Sequence, residues 1–138
     1  MTSGFQLTSI GTVDSPLSDP ASAPKQGDEG APEAWIVFER AFLPALGGLN
    51  CGDEILVLTW FHLAQRDVLR VRPRDDAGRP EQGVFSTRSP DRPNPIGLHR
   101  VEVISIESGR LRVRNLEAVD GTPVIDLKPV LSAHAADR

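Results

Sequence analysis

Prolines and glycines break this chain too often for a long helix. There are 12 of each in 138 residues, and no stretch beyond about two turns keeps an apolar period of 3.6. Bulky apolar residues come instead in short runs, many of them β-branched, and such runs predict strands. Phe5–Val13 alternates imperfectly, and Ala34–Glu39 is a short apolar run. Glu54–His62 (EILVLTWFH) is nearly apolar throughout, which predicts cover on both of its faces. Asp67–Arg72 predicts a further strand and Val84–Thr87 a short extended piece. Leu98–Ile106 and Arg110–Leu116 predict a hairpin turning at Ser108-Gly109, and Pro123–Leu127 the last strand. Leu43–Asn50 reads as a single helical turn. Seven or eight short strands with this punctuation predict an all-β fold, a small antiparallel barrel or sandwich with long loops, forming one domain over residues 1–138.

Composition narrows the function classes. Hydrophobic residues are 39% and charged residues 25%, which suits a globular core. Cys51 is the only cysteine, so no internal disulfide can form, and neither CxxC nor HExxH occurs, so no metal is expected. Ile55–Phe61 is too short an apolar stretch to cross a bilayer. The start of the chain lacks a charged n-region and an apolar h-region, which makes the cytoplasm the default compartment. The net charge of −4 argues against a bulk nucleic-acid coat but allows a local basic face. Eleven of the fifteen basic residues lie between Arg66 and Arg114. Arg110, Arg112 and Arg114 alternate with Leu111 and Val113, so all three face one way. That row reads equally well as a phosphate-tracking stripe or as the solvated outside of a sheet.

Two stretches are locally unusual. Gly83–Leu98 (GVFSTRSPDRPNPIGL) sets Arg88 and Arg92 on a loop stiffened by three prolines. A stiff loop loses little entropy when it holds a ligand, yet it can equally be a connection whose prolines narrow the unfolded ensemble. Val119–Val130 (VDGTPVIDLKPV) opens on a turn at Asp120-Gly121 and enters a strand at Thr122-Pro123. It reads as a carboxylate and backbone amides gripping a polar ligand, or as an ordinary β-turn. Asp14–Pro32 carries four prolines and almost no bulky apolar residue, so it predicts a loop and no core element.

These two stretches, in this order and with a hairpin between them, resemble the TsaA/TrmO-like (YaeB-like) family. Fainter similarity touches Ile10-Gly11, Ser15-Pro16, Pro24-Lys25-Gln26 and Phe61-His62. The resemblance implies a small antiparallel barrel that pairs as a homodimer, with S-adenosylmethionine bound near the dimer interface. It implies methyl transfer to N6 of threonylcarbamoyladenosine at position 37 of tRNA. Cofactor contacts are implied at Pro24, Lys25, Gln26, His62, Leu63, Arg88, Leu98, Asp120, Gly121, Thr122 and Pro123. A guanidinium at Arg88 suits the cofactor carboxylate by two parallel hydrogen bonds. Asp120 suits the ammonium or the ribose hydroxyls, and Leu98 suits the base. Some group must take a proton from N6, and Asp126 and His62 are the candidates for this catalytic role. Asp126 reads alternatively as a strand-end cap, and His62 as a satisfied structural residue.

Departures from the family pattern weigh on the acceptor more than on the cofactor. Val130 stands where the family has tyrosine, and the chain has no tyrosine at all. Asp14 and Lys25 each replace a family arginine. Long members carry a C-terminal extension that adds tRNA-binding surface, and this sequence stops at Arg138. Two alternatives therefore stand beside tRNA methylation: methylation of a small molecule, and a barrel that binds S-adenosylmethionine without catalysis.

Overall fold

The computed structural model describes residues 4–18, 31–72 and 78–131. Eight strands form among the described residues: β1 (Gly11–Asp14), β2 (Ala34–Phe38), β3 (Glu54–Trp60), β4 (Arg70–Val71), β5 (Gln82–Gly83), β6 (Ile96–Glu107), β7 (Arg110–Arg114) and β8 (Pro123–Pro129). Six of them close a barrel in the order β1-β2-β7-β6-β3-β8, every pairing antiparallel. β4 and β5 pair with each other as a separate ribbon. Closure removes the open edges that a sheet of this size otherwise exposes.

Strict alternation builds the core. β7 runs exposed-buried-exposed-buried-exposed, so Leu111 and Val113 point inward and the three arginines outward. Val13, Ile36, Ile55, Val57, Val101, Val103 and Val124 join them in the interior. β6 is the longest strand, pairing with β3 through its first half and with β7 through its second. The ladder slips between Val103 and Ser105, a bulge that lets one strand serve two partners. Gly109 closes the hairpin at φ +83°, a conformation glycine adopts without steric cost.

The structure corrects several expectations. The strand over Phe5–Val13 begins only at Gly11, and Phe5 is 94% exposed. The strand over Asp67–Arg72 shrinks to two residues of the ribbon. The extended piece at Val84–Thr87 is a 3-10 turn over Val84–Ser86, and the helical turn near Leu43 is a 3-10 segment over Arg40–Leu46. β3 is not covered on both faces: Ile55, Val57 and Thr59 are buried, while Leu56, Leu58 and Trp60 are only partly so. Its second apolar row therefore lies on the barrel's outside.

The arginine row is the solvated outside of the sheet. Arg112 Nη2 lies 2.6 Å from Glu33, Arg114 pairs with Glu102 at 3.3 Å, and Arg110 with Glu107 at 3.8 Å. Arg110 also stacks over the Trp35 ring at 4.0 Å. The nearby glutamates cancel much of the stripe's charge, and exposed pairs of this kind add little stability.

Candidate functional site

Four backbone junctions meet at one end of the barrel. β3 leaves at Trp60 toward Phe61, His62 and Leu63, and β6 begins beside it, Trp60 paired with Ile96. β8 begins at Pro123, with Val124 beside Thr59 and Pro123 beside Thr12 of β1. The Asp120-Gly121 turn is sewn to the exit of β1: Asp120 N–H donates to Leu17 O (2.6 Å), Gly121 N–H to Val13 O (2.7 Å), and Ser15 N–H to Asp120 Oδ1 (3.1 Å). Gly121 takes φ +83°.

The proline-rich loop is pinned to the same end. Arg92 N–H donates to Gln65 O (3.1 Å) and Gln65 N–H to Asp91 Oδ1 (2.9 Å). Arg66 donates to Pro93 O (2.7 Å) and Asn94 Oδ1 (3.1 Å), with its guanidinium 5.0 Å above the Trp60 ring. Arg92 turns back into its own loop, its Nη2 donating to Val84 O and to Thr87 O (2.7 Å). It is thus a staple, whereas Arg88 beside it is exposed and makes no ion pair or hydrogen bond among the described residues. Arg92→Ala is expected to destabilise the protein by about 2 kcal/mol, since two carbonyls lose a charged donor. Denaturant unfolding checks it.

His62, Leu63, Arg88, Asp120, Gly121 and Pro123 lie on this end, and Leu98 stands just below it on the outer face of β6. His62, Leu63, Arg88, Leu98 and Asp120 are all exposed; Leu63 is 57% and Leu98 42% accessible. Arg88 and Asp120 form no contact with each other within the chain. Thr122 is buried, its hydroxyl donating to Val119 O (2.7 Å), so its side chain shapes the turn from inside. Pro24, Lys25 and Gln26 lie outside the described residues.

Asp126 and His62 are not joined by any hydrogen bond among the described residues. Asp126 sits along β8 opposite Leu58, with Lys128 Nζ 3.8 Å away. It helps line a cleft of about 270 Å3 together with Phe38, Phe42, Leu46 and Lys128. No cluster of metal-ligating side chains occurs among the described residues, and none of their helices is long and apolar enough to cross a membrane.

The residues that sequence reading missed are His99, Glu117 and Thr59, which are hydrogen-bonded to one another inside the barrel. A signal existed: His99 shares its parity in β6 with Gly97, Val101 and Val103, all inward positions. A histidine at such a position has to find partners.

Residues 12–136 match the model of the tRNA-methyltransferase O N-terminal domain. An S-adenosyl-L-methionine-binding protein of Archaeoglobus fulgidus is 44% identical over 122 residues, covering 88% of this chain and 86% of that protein. The tRNA (adenine(37)-N6)-methyltransferase of Escherichia coli is 35% identical over 138 residues, covering 94% of this chain and 59% of the enzyme. The crystal structure of TrmO from Pseudomonas aeruginosa superposes with a TM-score of 0.75 at 28% identity, over 97% of this chain and 61% of that one. This chain thus spans nearly all of the archaeal relative but about three-fifths of the two longer ones. The chain belongs to the tRNA-methyltransferase O N-terminal domain family.

Proposed function

We propose that this protein is an S-adenosylmethionine-dependent methyltransferase that works as a homodimer on N6 of the modified adenosine at position 37 of tRNA. One observation carries the reading: Arg88, with no ion pair or hydrogen bond among the described residues, half-free Asp120, His62 and Leu63 stand on turns at the same barrel end, with exposed Leu98 just below, in a family whose relatives bind this cofactor.

The residues fit the cofactor's parts. Arg88 offers a planar fork for the carboxylate. Asp120 spends Oδ1 on Ser15 N–H and keeps Oδ2 for a ribose hydroxyl or the ammonium. Gly121 leaves room for close backbone approach, and Leu63 and Leu98 offer apolar cover for the base. The bound cofactor supplies a methyl group already activated on a sulfonium sulfur. The protein's part is alignment, worth roughly 7–11 kcal/mol when complete.

Among the described residues of a single chain nothing covers His62, Leu63, Arg88 or Asp120. The outer face beside this site carries Leu56, Leu58 and Trp60 of β3 with Ile96 and Leu98 of β6, an apolar patch. Arg100 and Lys128 stand opposite Leu56 at its border. Arg100 donates to Glu54 from Nε (3.0 Å) and Nη2 (3.2 Å), which holds the Glu54 carboxyl below the usual range. A second copy laid on this patch covers the leucines and walls the cofactor site.

His62 is better placed than Asp126 to take the N6 proton. It stands exposed on the site's end, whereas Asp126 lies down β8 beside Lys128. His62→Ala is expected to lower kcat about 100-fold, and Asp126→Ala to change it less than about threefold, within the range of an exposed ion pair. Mass spectrometry of tRNA incubated with protein and cofactor measures both, and tests the reading. A gain of one methyl on adenosine 37 supports it. Methyl transfer only to a small molecule, or tight cofactor binding with no transfer, rejects the tRNA acceptor.

A further inference from the structure

Glu117, His99 and Thr59 form a hydrogen-bonded chain inside the barrel. Glu117 Oε1 lies 2.5 Å from His99 Nδ1, and His99 Nε2 lies 2.7 Å from Thr59 Oγ1. Thr59 and His99 are sealed from solvent, at 0% and 1% accessible. The Phe61 ring stands edge-on to the imidazole, centroids 5.7 Å apart and planes at 82°. In the tautomer whose Nδ1–H donates to the Glu117 carboxylate, Nε2 accepts, and the Thr59 hydroxyl donates to it.

Burying such a set is not explained by stability alone, because well-packed apolar residues serve that end as well or better. Carboxylate, imidazole and hydroxyl stand in the order of a nucleophilic triad. Thr59 cannot be the nucleophile, because no substrate reaches an oxygen at 0% accessibility. The chain's ends show another use. Thr59 is the penultimate residue of β3 and leads directly to Phe61, His62 and Leu63. Glu117 lies three residues before the Asp120-Gly121 turn. The network therefore ties together, by side chains, the two turns that flank the cofactor site.

We propose that His99 is a positioning residue: together with Glu117 and Thr59 it fixes the spacing of the His62-Leu63 and Asp120–Pro123 turns, and so sets cofactor affinity without touching the cofactor. This rests on the cofactor reading above. Packing supports it, since Gly97 abuts two members of the network, Thr59 and His99, together with the Phe61 ring, and admits no side chain between them. A set closed this tightly transmits a shift at one turn to the other.

Calorimetric titration of the full chain with S-adenosylhomocysteine, alongside melting curves and steady-state methylation, tests the proposal on Thr59→Val, Thr59→Ser and His99→Leu. Thr59→Val keeps the shape and removes the donor, and is expected to raise the cofactor Kd and KM about tenfold while the KM for tRNA stays within about twofold. Thr59→Ser restores the hydroxyl and is expected to restore the affinity. A merely structural network predicts lower melting temperatures with no split between the two KM values. If Thr59→Val folds and binds within about twofold of the wild type, the proposal is overturned; should His99→Leu fail to fold, Thr59→Val alone decides. Failure of the wild type to bind S-adenosylhomocysteine instead overturns the cofactor reading, and this proposal with it.

Discussion

Replacing Gly97 by alanine is expected to destabilise the protein by about 3 kcal/mol, the upper part of the range for overpacking a tight core, and to lower its melting temperature by about 10 °C. A Cβ there meets Phe61 Cζ at 2.5 Å and His99 Nε2 at 2.7 Å, and comes closer still to Thr59 Oγ1. Thr59 and His99 cannot yield cheaply, because they are bonded to each other and buried. Cofactor affinity is expected to fall with stability, at least about tenfold, since the displaced residues lead into His62. Gly83, in the same sequence motif, is the control. A Cβ at Gly83 meets nothing within 4 Å and its φ of −63° suits any residue, so Gly83→Ala is expected to stay within about 0.5 kcal/mol. Thermal and urea unfolding of the two variants measure the contrast. Equal effects at both positions remove the steric account of Gly97.

If two copies pair as proposed, Leu58→Asp is expected to leave the protein monomeric and abolish most activity. Leu58 stands at the middle of the outer apolar face, paired on one side with Leu98 and on the other with Asp126. A carboxylate there loses its water on association and finds Asp126 rather than a cation beside it, a cost of several kcal/mol. The dimer dissociation constant is expected to rise at least about 100-fold, equivalent to roughly 2.7 kcal/mol. The monomer itself should remain folded, because the Leu58 side chain points away from the barrel core. Sedimentation velocity and methyl-transfer assays on the same samples check both effects. A variant that still sediments as the wild-type species shows that the copies meet elsewhere or not at all.

The sequence disclosed the fold where one face was wet and the other dry. β7 is the plainest example: Arg-Leu-Arg-Val-Arg fixes which residues enter the core. β3 misled for the opposite reason. Leu56, Leu58 and Trp60 make the run continuously apolar, and continuity ordinarily marks cover from a second layer of the same chain. Here nothing among the described residues covers them fully, and the dimer proposal assigns that cover to a second copy. Phe5 and Leu7 misled because alternation says nothing about whether a partner strand exists.

The candidate site shows in the sequence as two motifs, but the roles within it do not. The prolines and glycines of both stretches mark stiff turns, and both turns lie at one barrel end. Spacing gave no means to separate Arg88, which is exposed and unpaired among the described residues, from Arg92, which closes its own loop. The glutamates that neutralise the arginine row sit at Glu33, Glu102 and Glu107, and only Glu107 is close in sequence to its partner. His99 was passed over because its partners, Thr59 and Glu117, are 40 and 18 residues away.

Titration of the protein with S-adenosylhomocysteine, repeated on Arg88→Ala and Asp120→Ala, tests the central claim most directly, namely that two distant turns build one cofactor site. The wild type is expected to bind, and each variant to lose about tenfold or more in affinity, the range for removing a charge-assisted hydrogen bond from a bound ligand. Wild-type affinity in both variants would contradict that claim.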